Sequence, residues 1–173
     1  IATDSQNNCL VAGTIRSGFS NPVDAASVLM KFDTNGNLLW RTVFESTFEG
    51  SYTKKILVDN NDNIYVLGLG MGSNGLVTRV KKFDTSGIPI WTFYDSNGIG
   101  APINMKLTSD NALLVVGRGI TGIMNGYLKI SVDGNLIWNK PGITSPTIGD
   151  AAGDSLGNTY VINGENTVTN AGS

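Results

Sequence analysis

An all-β array of repeated, four-stranded antiparallel units is the fold this sequence predicts, and three observations carry the prediction. One phrase recurs almost unchanged: KFDTNGNLLW at 31–40, KFDTSGIPIW at 82–91 and KISVDGNLIW at 129–138. A second phrase alternates with it: DSQNNCLVAG at 4–13, DNNDNIYVLG at 59–68, TSDNALLVVG at 108–117 and DSLGNTYVIN at 154–163. The whole chain holds 22 glycines and scattered turn residues but no sustained run of apolar positions at helical spacing, so helices have no pattern to form on. A repeat of about 50 residues made only of strand signals has the size of a propeller blade.

Each unit reads as four strands. In the second they fall at about 54–59 (KKILVD), 63–69 (NIYVLGL), 77–84 (VTRVKKFD) and 88–94 (IPIWTFY). The second strand is nearly continuous in apolar residues in every copy, as in a strand covered on both faces. The third alternates and is interrupted by lysine, which places it farther out. Pro89 removes a ladder donor from the fourth and marks an outer edge. The first phrase is then the hairpin joining strands three and four. Asp33 and Thr34 lead into the turn, Gly36 supplies a positive φ, and Trp40 carries apolar surface into the seam between blades. The units span about 1–48, 49–97, 98–142 and, in part, 143–173, the last ending after its second strand. About three and a half blades predict a segment of a larger ring, completed by the rest of a longer chain or by a partner chain.

The alternating phrases resemble β-propeller repeats of bacterial secreted and surface proteins. D-x-x-(G/N)-N-x-Y-V-x-G is similar to the seven-bladed propeller repeat, and K-F-D-x-x-G-x-x-x-W to the tryptophan-docking repeat of quinoprotein-like propellers. The resemblance covers the whole chain. It implies a secreted or cell-surface location and a scaffold shared by binding modules, assembly factors and enzymes.

Composition excludes several classes of function. Twelve basic residues against 14 acidic, scattered rather than blocked, give no basic patch for nucleic-acid phosphates or for a membrane surface. The longest apolar run, ALLVV at 112–116, falls far short of the ~20 residues of a spanning helix. The single cysteine, Cys9, sits in CLVAG as a small buried hydrophobe, and one cysteine forms no internal disulfide. With no histidine, neither a Cys–His nor a Ser–His–Asp mechanism is available within these residues.

In an up-and-down meander the short, uniform turns share one end and the connections of differing sequence share the other. IRSGFSNPVDAA (15–26), GMGSNG (70–75), GITGIM (119–124), ESTFEGS (45–51) and DSNGIGAP (95–102) belong to the variable end. Variation on a uniform scaffold is where recognition sits, so Arg16, Phe19, Phe48, Tyr52 and Arg118 are the candidate contacts with a partner. The same residues also read as ordinary rim residues. Asp59, Asn61 and Asn63 offer alternating oxygens to Ca²⁺, but Ile64 and Gly70 stand where an EF-hand needs glycine and glutamate. A turn stabilised by Asx side chains explains them without an ion, and no metal site is assigned. GLGMGSNG (68–75) lacks the following helix that a phosphate loop requires. Lys31, Lys82 and Lys129 recur with the blade plan and read as structural. Asp33 and Asp84, on successive blades, are too far apart to act as an acid–base pair.

No catalytic residue and no cofactor is expected. The leading expectation is a non-enzymatic binding or scaffold propeller within a larger bacterial protein, with a protein or glycan partner. One alternative is the propeller domain of a quinoprotein-type dehydrogenase, a fold that holds pyrroloquinoline quinone with Ca²⁺, whose active site lies outside this segment. Such enzymes commonly use a vicinal cysteine pair that this chain lacks. The other is a propeller lectin.

Overall fold

A computed structural model describes residues 1–16, 25–47, 52–72, 75–95, 99–118, 126–141, 148–154, 156–163 and 168–170. These residues form strands and turns only, in two compact units, Ile1–Ser96 and Asn97–Ser173.

The first unit holds two four-stranded antiparallel sheets. One runs in the order β1 (Ala2–Thr3), β2 (Cys9–Arg16), β3 (Ala25–Phe32), β4 (Leu38–Thr47). The other runs β5 (Tyr52–Val58), β6 (Ile64–Gly72), β7 (Gly75–Phe83), β8 (Pro89–Tyr94). The second unit holds a four-stranded sheet of β9 (Ala101–Leu107), β10 (Ala112–Arg118), β11 (Gly126–Ser131) and β12 (Leu136–Pro141). It also holds a three-stranded sheet of β13 (Ile148–Gly153), β14 (Thr159–Asn163) and β15 (Val168–Asn170). Every sheet is an up-and-down meander, the strand order expected of propeller blades, with four strands in three of the sheets and three in the last. The last blade goes one strand beyond the expected end, because Val168–Asn170 pairs with β14. Three residues, two of them β-branched, are too short a run for periodicity to flag.

Both phrases of the sequence prove to encode one and the same turn. In seven hairpins, led by Asp4, Asp33, Asp59, Asp84, Thr108, Ser131 and Asp154, the leader's N–H donates to the carbonyl four residues on. The N–H three residues on donates back to the leader's carbonyl. This is a type I turn closed by a G1 bulge. The fourth residue is left-handed each time: Asn7, Asp62 and Asn111 at φ 58 to 63°, and Gly36, Gly87, Gly134 and Gly157 at 79 to 89°. The leader's side-chain oxygen supplies the rest. Asp33 Oδ1 accepts the N–H groups of Asn35 and Asn37 at 2.9 and 2.8 Å, while Asn37 Nδ2 donates to its Oδ2 at 2.8 Å. Local side-chain bonds of this type hold the chain out of any continuing ladder. The register slips after Lys31, Lys82 and Lys129 in the three third strands, where the bulge requires it.

Packing follows the blade plan. β10 is buried from Ala112 through Gly117, as a strand covered on both faces should be, whereas β2 is covered less and Ile15 is exposed. Cys9, expected to be buried, is half-buried at the start of β2, opposite Thr3 and Phe32. In the first unit Leu10, Leu29, Phe44, Ile56, Ile64, Val66 and Phe83 form one apolar cluster across both sheets, with Phe44 edge-on to Phe83 at 4.9 Å. Trp40 packs on this cluster and reaches the next hairpin, where a Cβ on Gly87 would lie 2.7 Å from its ring. Thr42 Oγ1 donates to the Gly87 carbonyl beside it at 2.8 Å. The tryptophan therefore fills the seam as expected. In the second unit Leu114, Val116, Tyr127 and Ala151 cluster, with Ile103 and Trp138 against them.

The third strands are third in order, yet β3, β7 and β11 are buried over most of their length. Lys31, Lys82 and Lys129 are all buried, and an alternating pattern hid this because the lysines do not point to water. Lys31 Nζ pairs with Asp4 at 2.8 Å and Lys129 Nζ with Asp110 at 2.7 Å, while Lys82 lies 5.3 Å over the Tyr65 ring. Each ammonium thus stays inside the fold by meeting its own blade's first turn or the aromatic beside it. Burial would raise the Asp4 carboxyl. Lys31, the Asn8 amide and two backbone N–H groups outweigh it and hold the group at about 2.

Candidate functional site

The turn end of each blade is spent on structure. Asp59 shows how fully: its Oδ1 accepts from the N–H groups of Asn61 and Asn63, and its Oδ2 from Asn63 Nδ2 and the Tyr65 hydroxyl, all at 2.9 Å. That is the Asx-turn arrangement, and the carboxylate's four acceptor positions are all engaged. Turns also latch to turns. Ser5 donates its N–H and its hydroxyl to the Asp62 carboxylate at 2.8 and 2.6 Å, and Ser109 Oγ donates to the Asp154 carbonyl at 2.7 Å. Among the described residues, no three His, Cys, Asp or Glu side chains gather as a metal site would require. β6 runs on to Gly72 and β7 begins at Gly75, so GLGMGSNG is followed by a strand and not by a helix.

The opposite end carries the candidate contacts. Arg16 closes β2, Tyr52 opens β5 and Arg118 closes β10, each at the end of its strand remote from the Asp turns. Tyr52, in the first unit, and Arg118, in the second, are exposed. For Arg16 only the backbone is described, and Phe19 and Phe48 lie outside the described residues.

Beneath that end, the first unit holds a buried cation that sequence reasoning missed. Arg79 is fully buried on β7; its guanidinium lies 5.2 Å over the Phe44 ring and reaches Ser27 Oγ at 3.5 Å. Its arm crosses Gly68, which faces it in the ladder and where a Cβ would lie 3.1 Å from Nη2. Counting back from the following turn, the second unit has Gly126 where the first has Arg79, and Ile99 fills the space instead. Ile99 is 2% exposed and lies against both Gly117 and Gly126.

The first strands of three sheets carry a second polar feature. β5, β9 and β13 each slip register at the same place: at Thr53/Lys55, opposite Val116/Gly117 for β9, and at Ile148/Asp150. The residue on the turn side of each slip is polar: Lys55, Asn104 and Asp150. In the second unit two of them meet. Asn104 Nδ2 donates to Asp150 Oδ1 at 2.7 Å, and Lys106 Nζ to Asp150 Oδ2 at 2.5 Å. Burial pushes the Asp150 carboxyl up, but Lys106, the Ala151 N–H and Asn104 outweigh it, so the group stays below the ordinary carboxylate range and ionised. A polar residue does recur four positions before the turn leader, at Lys55, Asn104 and Asp150, but nothing in the sequence says that two of them meet.

No protein-family model matches this chain, and no curated protein is similar to it in sequence. Among solved structures it is similar to a protein of unknown function from Bacteroides caccae, with a TM-score of 0.54 and 12% identity over 84% of this chain and 55% of that one. It is also similar to a gluconolactonase from Xanthomonas campestris, with a TM-score of 0.50 and 11% identity over 82% of this chain and 52% of that one. At these identities the likeness shows the fold alone, a β-propeller of four-stranded antiparallel blades. The chain spans about half the length of the solved structures it matches.

Proposed function

We propose that this chain is a binding or scaffold segment of a propeller in a larger secreted or cell-surface bacterial protein. In this reading its two phrases are propeller repeats of such proteins, and the variable end presents recognition loops to a protein or glycan partner. The observation that supports it most is the asymmetry of the blades. One end repeats a single self-satisfied turn seven times. The other is where the connecting sequences diverge and where Tyr52 and Arg118 lie exposed. Turn leaders that accept their own turn's N–H groups, with all four acceptor positions filled at Asp59 and Asp154, have less to offer a ligand, while exposed aromatic and arginine side chains are the types enriched at interface hot spots.

A glycan array, together with surface-displayed proteins of the source, tests this using the intact chain, a Tyr52→Ala/Arg118→Ala variant and Thr34→Ala at the turn end. Binding that the double variant loses and Thr34→Ala keeps is the expected result. Binding that both variants keep would overturn the loop-end assignment. Turnover of D-glucono-1,5-lactone, chosen because of the gluconolactonase neighbour, would overturn the non-enzymatic one.

A further inference from the structure

We propose that the face of the β1–β4 sheet turned away from β5–β8 is an interface for another blade of this chain's own repeat type, one that delivers a tryptophan from its fourth strand onto Gly36. The proposal rests on the chain being a segment of a propeller, but it uses neither the loop end nor the candidate contacts there.

The seam inside the first unit shows what such a face looks like when it is covered. The turn leaders Asp4 and Asp59, and Asp33 and Asp84, set the correspondence between the two sheets. By that count Ile1, Cys9, Val11 and Phe32 stand where the second sheet has Ile56, Ile64, Val66 and Phe83. The second set clusters with Leu10, Leu29 and Phe44 of the first sheet and is at most 5% exposed. The first set has no such cover among the described residues: Ile1 is 85% exposed, and Cys9, Val11 and Phe32 are half-buried. The ladder sets Cys9 opposite Phe32, Val11 opposite Met30 and Val28 opposite Val43, and residues facing each other across a ladder share one side of the sheet.

The chemistry of this side calls for an apolar neighbour. Arrays of repeats keep a terminal face soluble by making it polar. Here Leu38 and Val43 of β4 are 53% and 50% exposed, and Arg41, opposite Met30, is the one charge that the described strands bring to this side.

The turn then identifies the occupant. Gly87 receives the Trp40 ring, 2.7 Å from where its Cβ would stand, and its carbonyl accepts from Thr42 Oγ1. Gly36 holds the same place in the first sheet, with the same left-handed backbone, φ 85° against 79°. A Cβ on Gly36 would meet nothing within 4 Å. A blade with an apolar face and a tryptophan on its fourth strand meets both features. The β13–β15 sheet of a second copy carries no tryptophan and does not.

The test uses the single cysteine as a reporter on that face. A copy of residues 1–55, with Cys9→Ala in the copy, is placed ahead of Ile1 of the full chain. Its last residue meets Ile1 as Lys55 meets Ile56, so the repeat continues in register. Alkylation of Cys9 by iodoacetamide should slow about tenfold or more, because cover closes off a thiol as it closes off Ile64, the counterpart of Cys9. Trp40→Ala in the copy should raise the rate again. If circular dichroism shows the first extension unfolded, a copy of residues 56–104, which brings Trp91 and no cysteine, repeats the comparison with Trp91→Ala. Alkylation as fast in both extended chains as in the original overturns the inference. So does protection that the tryptophan variants leave intact. Protection of the unextended chain that grows with its concentration would make a second copy the occupant and overturn it as well.

Discussion

Replacing Gly87 by alanine tests how the tryptophan phrase holds neighbouring blades together. Two penalties add at this position. The left-handed backbone, at φ 79°, costs an L-residue about 1–2 kcal/mol. The new methyl would also stand 2.7 to 2.9 Å from three atoms of the Trp40 ring, which must shift, and overpacking of this kind costs about 1–3 kcal/mol. Gly36 supplies the control. Its φ is 85°, yet a Cβ there would meet nothing within 4 Å, so Gly36→Ala should cost only the backbone share of about 1–2 kcal/mol. The contact itself is isolated by placing Gly87→Ala in a Trp40→Ala background, where the ring is gone and only the backbone share should remain. Urea unfolding followed by far-ultraviolet circular dichroism measures all four variants. The coupling between the two sites should be about 1–3 kcal/mol. Equal losses for Gly36→Ala and Gly87→Ala, or additivity of the two changes at 40 and 87, would refute the docking argument.

Three further outcomes follow from the geometry. Asp4 has a folded pKa of about 2 against an ordinary 3.8, so its contribution of roughly 2 kcal/mol is complete above the ordinary value and is lost as pH falls through the folded one. Acid titration of Asp4→Asn should show a flatter limb over that window, and an unchanged limb would count against the Lys31 pairing. Tyr127 is buried, and its hydroxyl finds no partner among the described residues, so burial pushes its pKa up. Tyr127→Phe should therefore be neutral or stabilising by up to about 1 kcal/mol in thermal unfolding, and a loss of that size would reveal a missed partner. Ile99→Ala should cost about 2–4 kcal/mol, because two glycines cannot close the space the side chain leaves. A loss under about 1 kcal/mol would mean that the seam collapses instead.

The blade, its strand order and its turns were legible because each is written in consecutive residues. Gly36, Gly87 and Gly134 mark the left-handed position, Pro89 opens an edge strand, and KFDTNGNLLW announces both hairpin and dock. That the two phrases are one turn was harder to see. Asn7, Asp62 and Asn111 reach the left-handed region without glycine, and Thr108 and Ser131 lead their turns without a carboxylate. The buried lysines were misleading for a physical reason: periodicity reports polarity, and a lysine paired with Asp4 or Asp110 satisfies its charge without facing water. Arg79, the Ile99 plug and the Asn104–Asp150 contact were out of reach, since each depends on which residue a neighbouring strand places opposite. Of the five candidate contacts, Tyr52 and Arg118 stand exposed at the expected end, while Arg16, Phe19 and Phe48 are not decided by the described side chains.

The seven self-closing turns also bear on how the chain comes to be folded. Each draws its hydrogen bonds from five consecutive residues, so a hairpin can close before any distant strand has arrived. Events of that reach take about microseconds, whereas joining far-apart segments is what slows all-β chains. Nuclei are thus spread along the polypeptide at regular intervals. During synthesis at about 5–20 residues per second, each sheet would have seconds to form before the next emerges. Growth by addition limits how much unpaired strand edge is exposed at any moment, and with it the opportunity for chains to aggregate.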